Sequence, residues 1–579
     1  MEQKSAPINL ESWKIEKIGV IGPGIVGMPM ASMLANARIK IGTNQPAKVV
    51  IIQRDSQNSG WKVDAINSGR SVIGGIEPDL DAITSEAVKA GLLSASSDFS
   101  VLSDADVILV SVQTDKKENG FEPDYGPMFG ALEKLGEALK NKPASKIPLI
   151  IFESTLAPTT MDTLFREHFK KYGLEEGKDI LLGNSPNRVM PGRLVERIRE
   201  SDKLAGGLHP ETPKLIAKLY NHIVTNGEVF QTNSLTAEIV KTLENAYRDV
   251  RIAFSTEIVR YCDAHDISFY QVRETVNKML SQSDEATNDP NVVPSGGLLI
   301  PMLGVGGHCL PKDGILLWWR NTQKGNDTSA SLILESRLIN DESPAYTFRQ
   351  AEKAFGDLRG KKIALLGVAY RFNSEDTRNS PTLVLANYLR ENNVDYIMHD
   401  PYVKPDDQNI TKFGQNSHFT QDIHKALEFA DYILIGTAHK EYIDHFDEII
   451  SGENIKGVMD ASNIYSGQQF LNKQQQYAGI GRGTEEPDSE FINFVYESFR
   501  AVEKGLGREL LGLIHFYNEN YAYDEYNKVK FSEIQRLAKT CSTGCEIADP
   551  EMVEEIPVYK GFSCLLAKKA QLNNKLQLA

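Results

Sequence analysis

The sequence predicts an α/β protein: two doubly wound, Rossmann-like parallel-sheet domains joined by a helical central domain, with a C-terminal extension. Three observations predict it. Short apolar runs of strand length alternate with helical spacing in the N-terminal third and again from Lys361; a turn, Gly22-x-Gly24-x-x-Gly27, follows the first run; and Leu235 to His265 carries helical periodicity with neither Pro nor Gly. A chain of 579 residues is too long for one hydrophobic core, and 41% hydrophobic composition supplies several. The boundaries read from these shifts are 1–208, 209–345, 346–483 and 484–579.

The formal charge of −15 and a pI near 5.4 argue against a nucleic-acid or anionic-membrane surface, while leaving room for a local basic pocket. Five cysteines, Cys262, Cys309, Cys541, Cys545 and Cys564, are too few and too odd in number for a disulfide framework, so a reducing cytoplasm is expected. Met1 to Trp13 lacks an apolar signal core, and no apolar run approaches a membrane span. No targeting segment, membrane partner or nucleic-acid partner is expected.

In the first domain Lys17 to Ile21 reads as a buried strand and Met28 to Ala37 as a helix, with the glycine turn between them. This is the context a dinucleotide fingerprint needs. Gly22 permits the tight turn, Gly24 lets a pyrophosphate approach the backbone, Gly27 lets helix and strand pack, and the N–H groups around Ile25 and Val26 face the phosphate. The second strand, Val49 to Ile52, ends in Gln53-Arg54-Asp55. Asp55 can hold the adenine ribose hydroxyls, whereas Arg54 can stack on adenine or favour a 2′-phosphate, so NAD is the first reading and NADP the second. Further strands are expected at Asp106 to Val112, Ile147 to Glu153 and Ile180 to Leu182. The loops Ser111 to Asp115, with Thr114, and Glu153 to Pro158, with Thr155, then face the crevice; ordinary loop capping would use the same residues.

The central helix repeats Ile239, Leu243, Ala246, Tyr247, Val250 and Phe254 at three and four, and puts Lys241 and Asn245 one turn apart. Beyond it lies Gly304-Val-Gly-Gly-His-Cys-Leu-Pro-Lys-Asp313. A cysteine after glycines, with Lys312 and Asp313 close by, suits a nucleophile; the bland alternative is a tight turn with an inert buried thiol.

The order of Gly22-x-Gly24-x-x-Gly27, Glu153-Ser-Thr155, the Pro186 to Gly192 loop, Glu238-x-x-Lys241-x-x-x-Asn245 and Gly306-Gly-His-Cys309-x-Pro-Lys-Asp313 resembles the UDP-glucose/GDP-mannose dehydrogenase family. The resemblance continues through Gly367-Val-Ala-Tyr-Arg371, Asp376-Thr-Arg378-x-Ser-Pro381, Asp400-Pro401 and Thr437-x-His439-x-Glu441, and covers about residues 15 to 483. It implies an NAD-dependent, four-electron oxidation of the C6 hydroxyl of a nucleotide sugar to a uronic acid for surface polysaccharide. Cys309 would form a thiohemiacetal and then a thioester. Lys241 would stabilise oxyanions at C6, with Asp313, Asn245 and Thr155 holding a catalytic water. Asn187, Arg188, Val189, Lys241, Asn245 and Gly306 would bind substrate, Arg371 would contact its sugar or phosphates, and Arg378 is equally a structural salt bridge. The family also implies a homodimer or higher homo-oligomer, with the long central helix at the interface.

Two departures stand out. Asn187 occupies the place of a glutamate that would activate the hydrolytic water, and Asp460-Ala-Ser462 stands where many members have a substrate-reaching arginine. The His308 form of the cysteine motif resembles the branch acting on UDP-N-acetylhexosamines, so UDP-N-acetyl-glucosamine or -mannosamine is expected first, UDP-glucose second and a GDP-sugar third. An enzyme stalled at the thioester, or an idle nucleotide-sugar sensor, is the alternative. In the extension, Phe491, Phe494, Val495, Phe499 and Val502 share one helical face after an acidic linker at Glu485 to Ser489. Cys541 and Cys545 with Cys564 lack an obvious fourth ligand, so no metal is expected.

Overall fold

The computed structural model describes residues 13–56, 59–74, 77–118, 120–189, 192–283, 296–452 and 454–550, with 559, 562 and 566. Cys564, most of Met1 to Trp13, and Met190 and Pro191 of the Pro186 to Gly192 loop lie outside them. The chain divides into two compact units. The first holds Met1–Glu244, Leu316–Asn326 and Leu511–Cys545, and the second Asn245–Ile315, Asp327–Leu510 and Glu546–Ala579.

The first unit is built on an eight-stranded sheet. Its strands are β1 (Lys17–Ile21), β2 (Lys48–Ile52), β3 (Leu93–Ser96), β4 (Val107–Val110), β5 (Leu149–Phe152), β6 (Leu181–Asn184), β7 (Lys203–Gly207) and β8 (Val229–Asn233), in the order β8-β7-β6-β5-β4-β1-β2-β3. All neighbours are parallel except β6 and β7. Alternate residues of the central strands feed two apolar layers, Ile18, Val20, Val49 and Ile51 on one face and Ile21, Val50, Ile52 and Ile108 on the other. A sheet covered on both faces needs such near-continuous apolar strands. The sheet runs on to Asn233, past the boundary read at residue 208, because β8 completes its edge.

The second unit contains a six-stranded, all-parallel sheet: β9 (Lys362–Leu366), β10 (Asp395–His399), β11 (Phe419–Thr420), β12 (Tyr432–Ile435), β13 (Gly457–Asp460) and β14 (Gln476–Gly479), in the order β11-β10-β9-β12-β13-β14. Both sheets reverse strand order beside their first strand, between β1 and β4 and between β9 and β12. The loops leaving the carboxyl ends of those strands flank the crevice in which such folds bind ligands.

Helix α1 (Gly27–Asn36) follows the glycine turn, α2 is the long central helix (Ser234–Ala264), and α3 (Leu310–Gln323) begins directly after Cys309. The stripe Ile239, Leu243, Ala246, Tyr247, Val250 and Phe254 on α2 is buried, and so are Glu238, Glu244, Asp249 and Arg251 on its other sides. The extension forms α4 (Ser489–Tyr521) and α5 (Phe531–Lys539). In the second unit α4 lies on α2: the Phe499 ring meets Phe254 edge-on at 5.8 Å, Phe491 packs on Tyr261 at 4.9 Å, and Arg251 lies 3.7 Å over Phe499 while pairing with Glu503 at 2.7 Å. Phe254, at the end of that stripe, is therefore covered there by the chain's own extension.

Candidate active site

In the first unit the site begins at the glycine turn. Gly22 has φ +92°, a conformation that suits glycine, and a Cβ there would come within 2.9 Å of the Ser111 carbonyl oxygen. A Cβ on Gly27 would fall 2.0 Å from the Gly22 oxygen, whereas one on Gly24 would meet nothing within 4 Å. Two glycines are thus demanded by packing. Gly24 is not, and the open space above it is the room a pyrophosphate needs. Helix α1 has no side-chain cap and no acid in its first turn, so its N-terminal N–H groups are left to a ligand. Beside the turn the Ser111 hydroxyl is buried without a partner among the described residues. Arg54 and Asp55 stand exposed past the end of β2. These features fit a dinucleotide.

The loops after β4 and β5 are sewn together: the Thr114 hydroxyl donates to the Thr155 carbonyl at 2.8 Å, and Ser154 Oγ to the Val112 carbonyl at 2.5 Å. Glu153 is turned inward, paired with Lys203 at 2.9 Å and accepting from the Tyr220 hydroxyl. It is a framework carboxylate. The Asn187 side chain accepts from the Val189 N–H at 2.9 Å, and its own N–H donates to the Glu153 carbonyl at 3.1 Å, so the amide folds the turn it sits in. Arg188 is buried against Glu244. On α2, Glu238 accepts from the Thr159 and Met161 N–H groups at 2.7 and 2.9 Å, and burial pushes its carboxyl up to about 8 despite them. One turn on, Lys241 is 8% exposed and its side chain makes no hydrogen bond or ion pair among the described residues.

In the second unit the cysteine stretch is clamped. The Gly307 N–H donates to the Arg378 carbonyl at 2.8 Å, and Asn379 Nδ2 donates to the Gly307 carbonyl at 2.9 Å. A Cβ on Gly306 would strike Tyr370 Cβ at 2.5 Å, and one on Gly307 its ring at 2.9 Å. The glycines thus admit Tyr370 and the Asn379 backbone. Cys309 is half-buried, and its carbonyl accepts from the Lys312 and Asp313 N–H groups at 3.1 and 3.0 Å, opening α3. The thiol therefore sits at a helix N-terminus, which favours thiolate. Asp313, fully buried, is held from both sides: Lys312 Nζ reaches one carboxylate oxygen at 2.6 Å and Asn245 Nδ2 the other at 2.6 Å. Three of the expected catalytic residues are brought together here, Cys309, Asp313 and Asn245; Lys241 and Thr155 belong to the first unit.

The loop after β9 carries the two expected arginines, and they differ. Arg378 makes a two-pronged pair with Asp376 at 2.9 and 2.5 Å, whereas the guanidinium of the half-buried Arg371 has no hydrogen bond or ion pair among the described residues. Only Arg371 is uncommitted for a phosphate. Asp400 secures the loop by accepting from the Val368 and Ala369 N–H groups at 2.7 and 2.9 Å and from His439 Nε2 at 3.0 Å. Burial opposes its charge, but the His439 bond and the backbone donors outweigh it and hold the carboxyl below its ordinary value. His439 Nδ1 accepts from the Asn373 N–H at 2.8 Å. Asp460 is buried and capped by the Tyr465 N–H at 2.8 Å, and burial raises its carboxyl. The roles of Tyr370 and Glu244 went unread, since a lone tyrosine and a glutamate on a charged helix have no spacing that marks them. Among the described residues, no three His, Cys, Asp or Glu side chains gather as a metal site, and no helix is long and apolar enough to cross a membrane.

Two doubly wound sheets, a glycine turn with space for a pyrophosphate, and a helix-capping cysteine beside a buried Lys-Asp-Asn network define a dinucleotide-dependent oxidoreductase. The chain belongs to the UDP-glucose/GDP-mannose dehydrogenase family, matching its NAD binding domain over residues 16–224, its central domain over 235–342 and its UDP binding domain over 364–467. It is similar to the UDP-N-acetyl-D-mannosamine dehydrogenase of Pyrococcus horikoshii, 30% identical over 474 residues, covering 81% of this chain and 99% of that protein. The enzyme of the same name from Campylobacter jejuni is 29% identical over 448 residues, covering 76% and 99%. Among solved structures, NDP-N-acetyl-D-galactosaminuronic acid dehydrogenase from Methanosarcina mazei Go1 superposes with a TM-score of 0.66 at 30% identity, covering 81% of this chain and 96% of that one.

Proposed function

We propose that this protein oxidises the C6 hydroxyl of a UDP-N-acetylhexosamine, N-acetylglucosamine or N-acetylmannosamine, to the uronic acid in two two-electron steps. The observation that carries the reading is Cys309 at the start of α3, one helical turn from an Asp313 held by Lys312 and Asn245. The names of the similar proteins favour an N-acetylhexosamine.

NAD, held by the Gly22 to Gly27 turn with Asp55 or Arg54 toward the adenosine end and Thr114 and Thr155 toward the nicotinamide, supplies a hydride acceptor for each oxidation. The protein does the rest. The first oxidation removes a hydride and a proton from the C6 alcohol, leaving an aldehyde. The Cys309 thiolate adds to that carbonyl, and loss of the second hydride from the resulting thiohemiacetal leaves a thioester. Water then adds, the C–S bond breaks, and the carboxylate leaves with the thiol restored. Lys241 is assigned to the oxyanion at C6, which suits a buried ammonium with no partner among the described residues. Arg371 is assigned to the diphosphate. Asn187 and Val189 are assigned to the substrate through their turn, and Gly306 through its close backbone.

With an amide at Asn187, proton acceptance from the hydrolytic water falls to Asp313, oriented by Asn245. A second reading, an enzyme that stalls as acyl-enzyme, is favoured by the same residue, whose side chain is spent on the Val189 N–H. The free thiols among the described residues favour a reducing, cytoplasmic setting for the reaction. The homodimer implied by the family would be supported by a light-scattering mass of two chains.

The test is turnover of UDP-N-acetylglucosamine, UDP-N-acetylmannosamine and UDP-glucose with NAD, the product identified by mass. Uronate from an N-acetylhexosamine, lost in Cys309→Ser with NAD binding kept, is the expected result. An active serine variant, or no turnover of any sugar despite binding, contradicts the reading.

A further inference from the structure

Arg188 is the joint between the loop it belongs to and the C-terminal extension, all within the first unit. Its side chain and that of Glu244, with which it pairs, are each 3% exposed. The remaining acceptors come from the extension: Thr540 Oγ1 takes an Nη1 hydrogen at 2.7 Å, and the Leu537 carbonyl takes an Nη2 hydrogen at 3.0 Å. Thr540 directs its own proton to the same Leu537 carbonyl at 2.7 Å, so its hydroxyl is used as donor and acceptor at once. The carbonyls left over at the end of α5, and the negative end of its dipole, therefore face a buried guanidinium.

This end of the extension is anchored independently of Arg188. Thr232 donates to Glu533 at 2.7 Å, Asn233 Nδ2 donates to the Tyr526 and Lys528 carbonyls at 2.9 and 3.0 Å, and Arg536 lies over the Phe230 ring at 5.5 Å. Ile534, Leu537 and Ala538 are fully buried. Helix α5 is thus fixed along the edge strand β8, and a rigid body presents Thr540 to the arginine. Arg188 directly follows Asn187, and Glu244 directly precedes Asn245.

We propose that the C-terminal extension is a positioning element for UDP-sugar binding, in which Thr540 and the end of α5 hold Arg188 against Glu244 and so fix the Pro186 to Val189 turn. A guanidinium enclosed by a carboxylate, a carbonyl and a hydroxyl holds the turn rather than touching substrate. Thr540 is a positioning residue: it acts through Arg188. The kinetic part of this inference rests on the proposed function.

The test uses the full chain with Thr540→Val, which keeps the shape and removes the hydroxyl, and Thr540→Ser, which restores it. Thr540→Val is expected to raise the KM for the UDP-sugar at least fivefold, with kcat and the KM for NAD within twofold of the parent, and Thr540→Ser to return all three. An unchanged sugar KM, a parallel change in the NAD KM, or failure of serine to restore it overturns the proposal. If the parent turns over no sugar, the functional reading fails and amide hydrogen exchange decides the positioning claim. Faster exchange of the Asn187 and Val189 N–H groups in Thr540→Val, reversed in Thr540→Ser, upholds it, and unchanged protection overturns it.

Discussion

Gly24 and Gly27 sit in one turn and respond oppositely to a side chain. Nothing lies within 4 Å of a Cβ on Gly24, so Gly24→Val should fold with an unchanged melting temperature while NAD affinity drops by about tenfold or more, roughly 1.4 kcal/mol at least. Gly27→Ala puts a methyl 2.0 Å from the Gly22 oxygen and should cost about 1–3 kcal/mol of stability, read by denaturant unfolding. Glu176 gives a pH signature. One of its oxygens accepts from the Leu182 N–H at 2.7 Å, the other is buried without a partner among the described residues, and burial pushes the carboxyl up to about 8. A folded-state value above the unfolded one near 4.5 means that stability is full below the lower value and declines as pH rises through the window to about 8. Glu176→Gln should remove that decline, so the parent loses ground to the variant between pH 5 and 8; parallel stability curves would contradict the assignment. At this scale the three glycines, Cys309, Asp313 and Asn245 were legible in the sequence, because a turn, a thiol and a fixed spacing on one helix are local. The burial of Arg188 against Thr540 was not, since its partners lie far along the chain.

Central strands and edge strands differed in how plainly they could be read. β1, β2, β4, β5 and β6 were expected from apolar runs, as strands buried on both faces must be, and the alternation from Lys361 announced the second sheet. The edges β3, β8, β11 and β14 were missed, being short or polar, and so was β7, Lys-Leu-Ala-Gly-Gly, whose buried lysine is tolerated because Glu153 neutralises it. The apolar face of α4 was legible from its spacing, but its destination on α2 was not, because amphipathicity names a face and not its partner. That contact is energetically specific. Glu503→Ala leaves Arg251 buried without its carboxylate and should cost about 3–5 kcal/mol, seen as a fall in the unfolding midpoint. A cost below 1 kcal/mol, the usual worth of a surface pair, would show that α4 is not packed there.

For the molecule as a whole, the extension joins both compact units, since α4 begins in the second and ends in the first. Its apolar residues, including Phe491, Val495, Phe499, Leu510 and Tyr517, are buried, so truncation after Gly483 should give aggregated protein instead of a smaller active enzyme. A soluble, fully active truncation would contradict that. The order of domains was legible because the motifs that mark them are collinear, whereas the first sheet runs past residue 208 because its polar edge strand β8 lies beyond it. The chemistry rests on Cys309 passing through two oxidation levels, and its most direct measure is the number of NADH formed for each UDP-N-acetylhexosamine consumed. Two NADH per sugar, with free uronate as the only product, is the predicted result. A single NADH per sugar with an aldehyde released, or one burst of two per protein with the acyl group retained on Cys309, would contradict it.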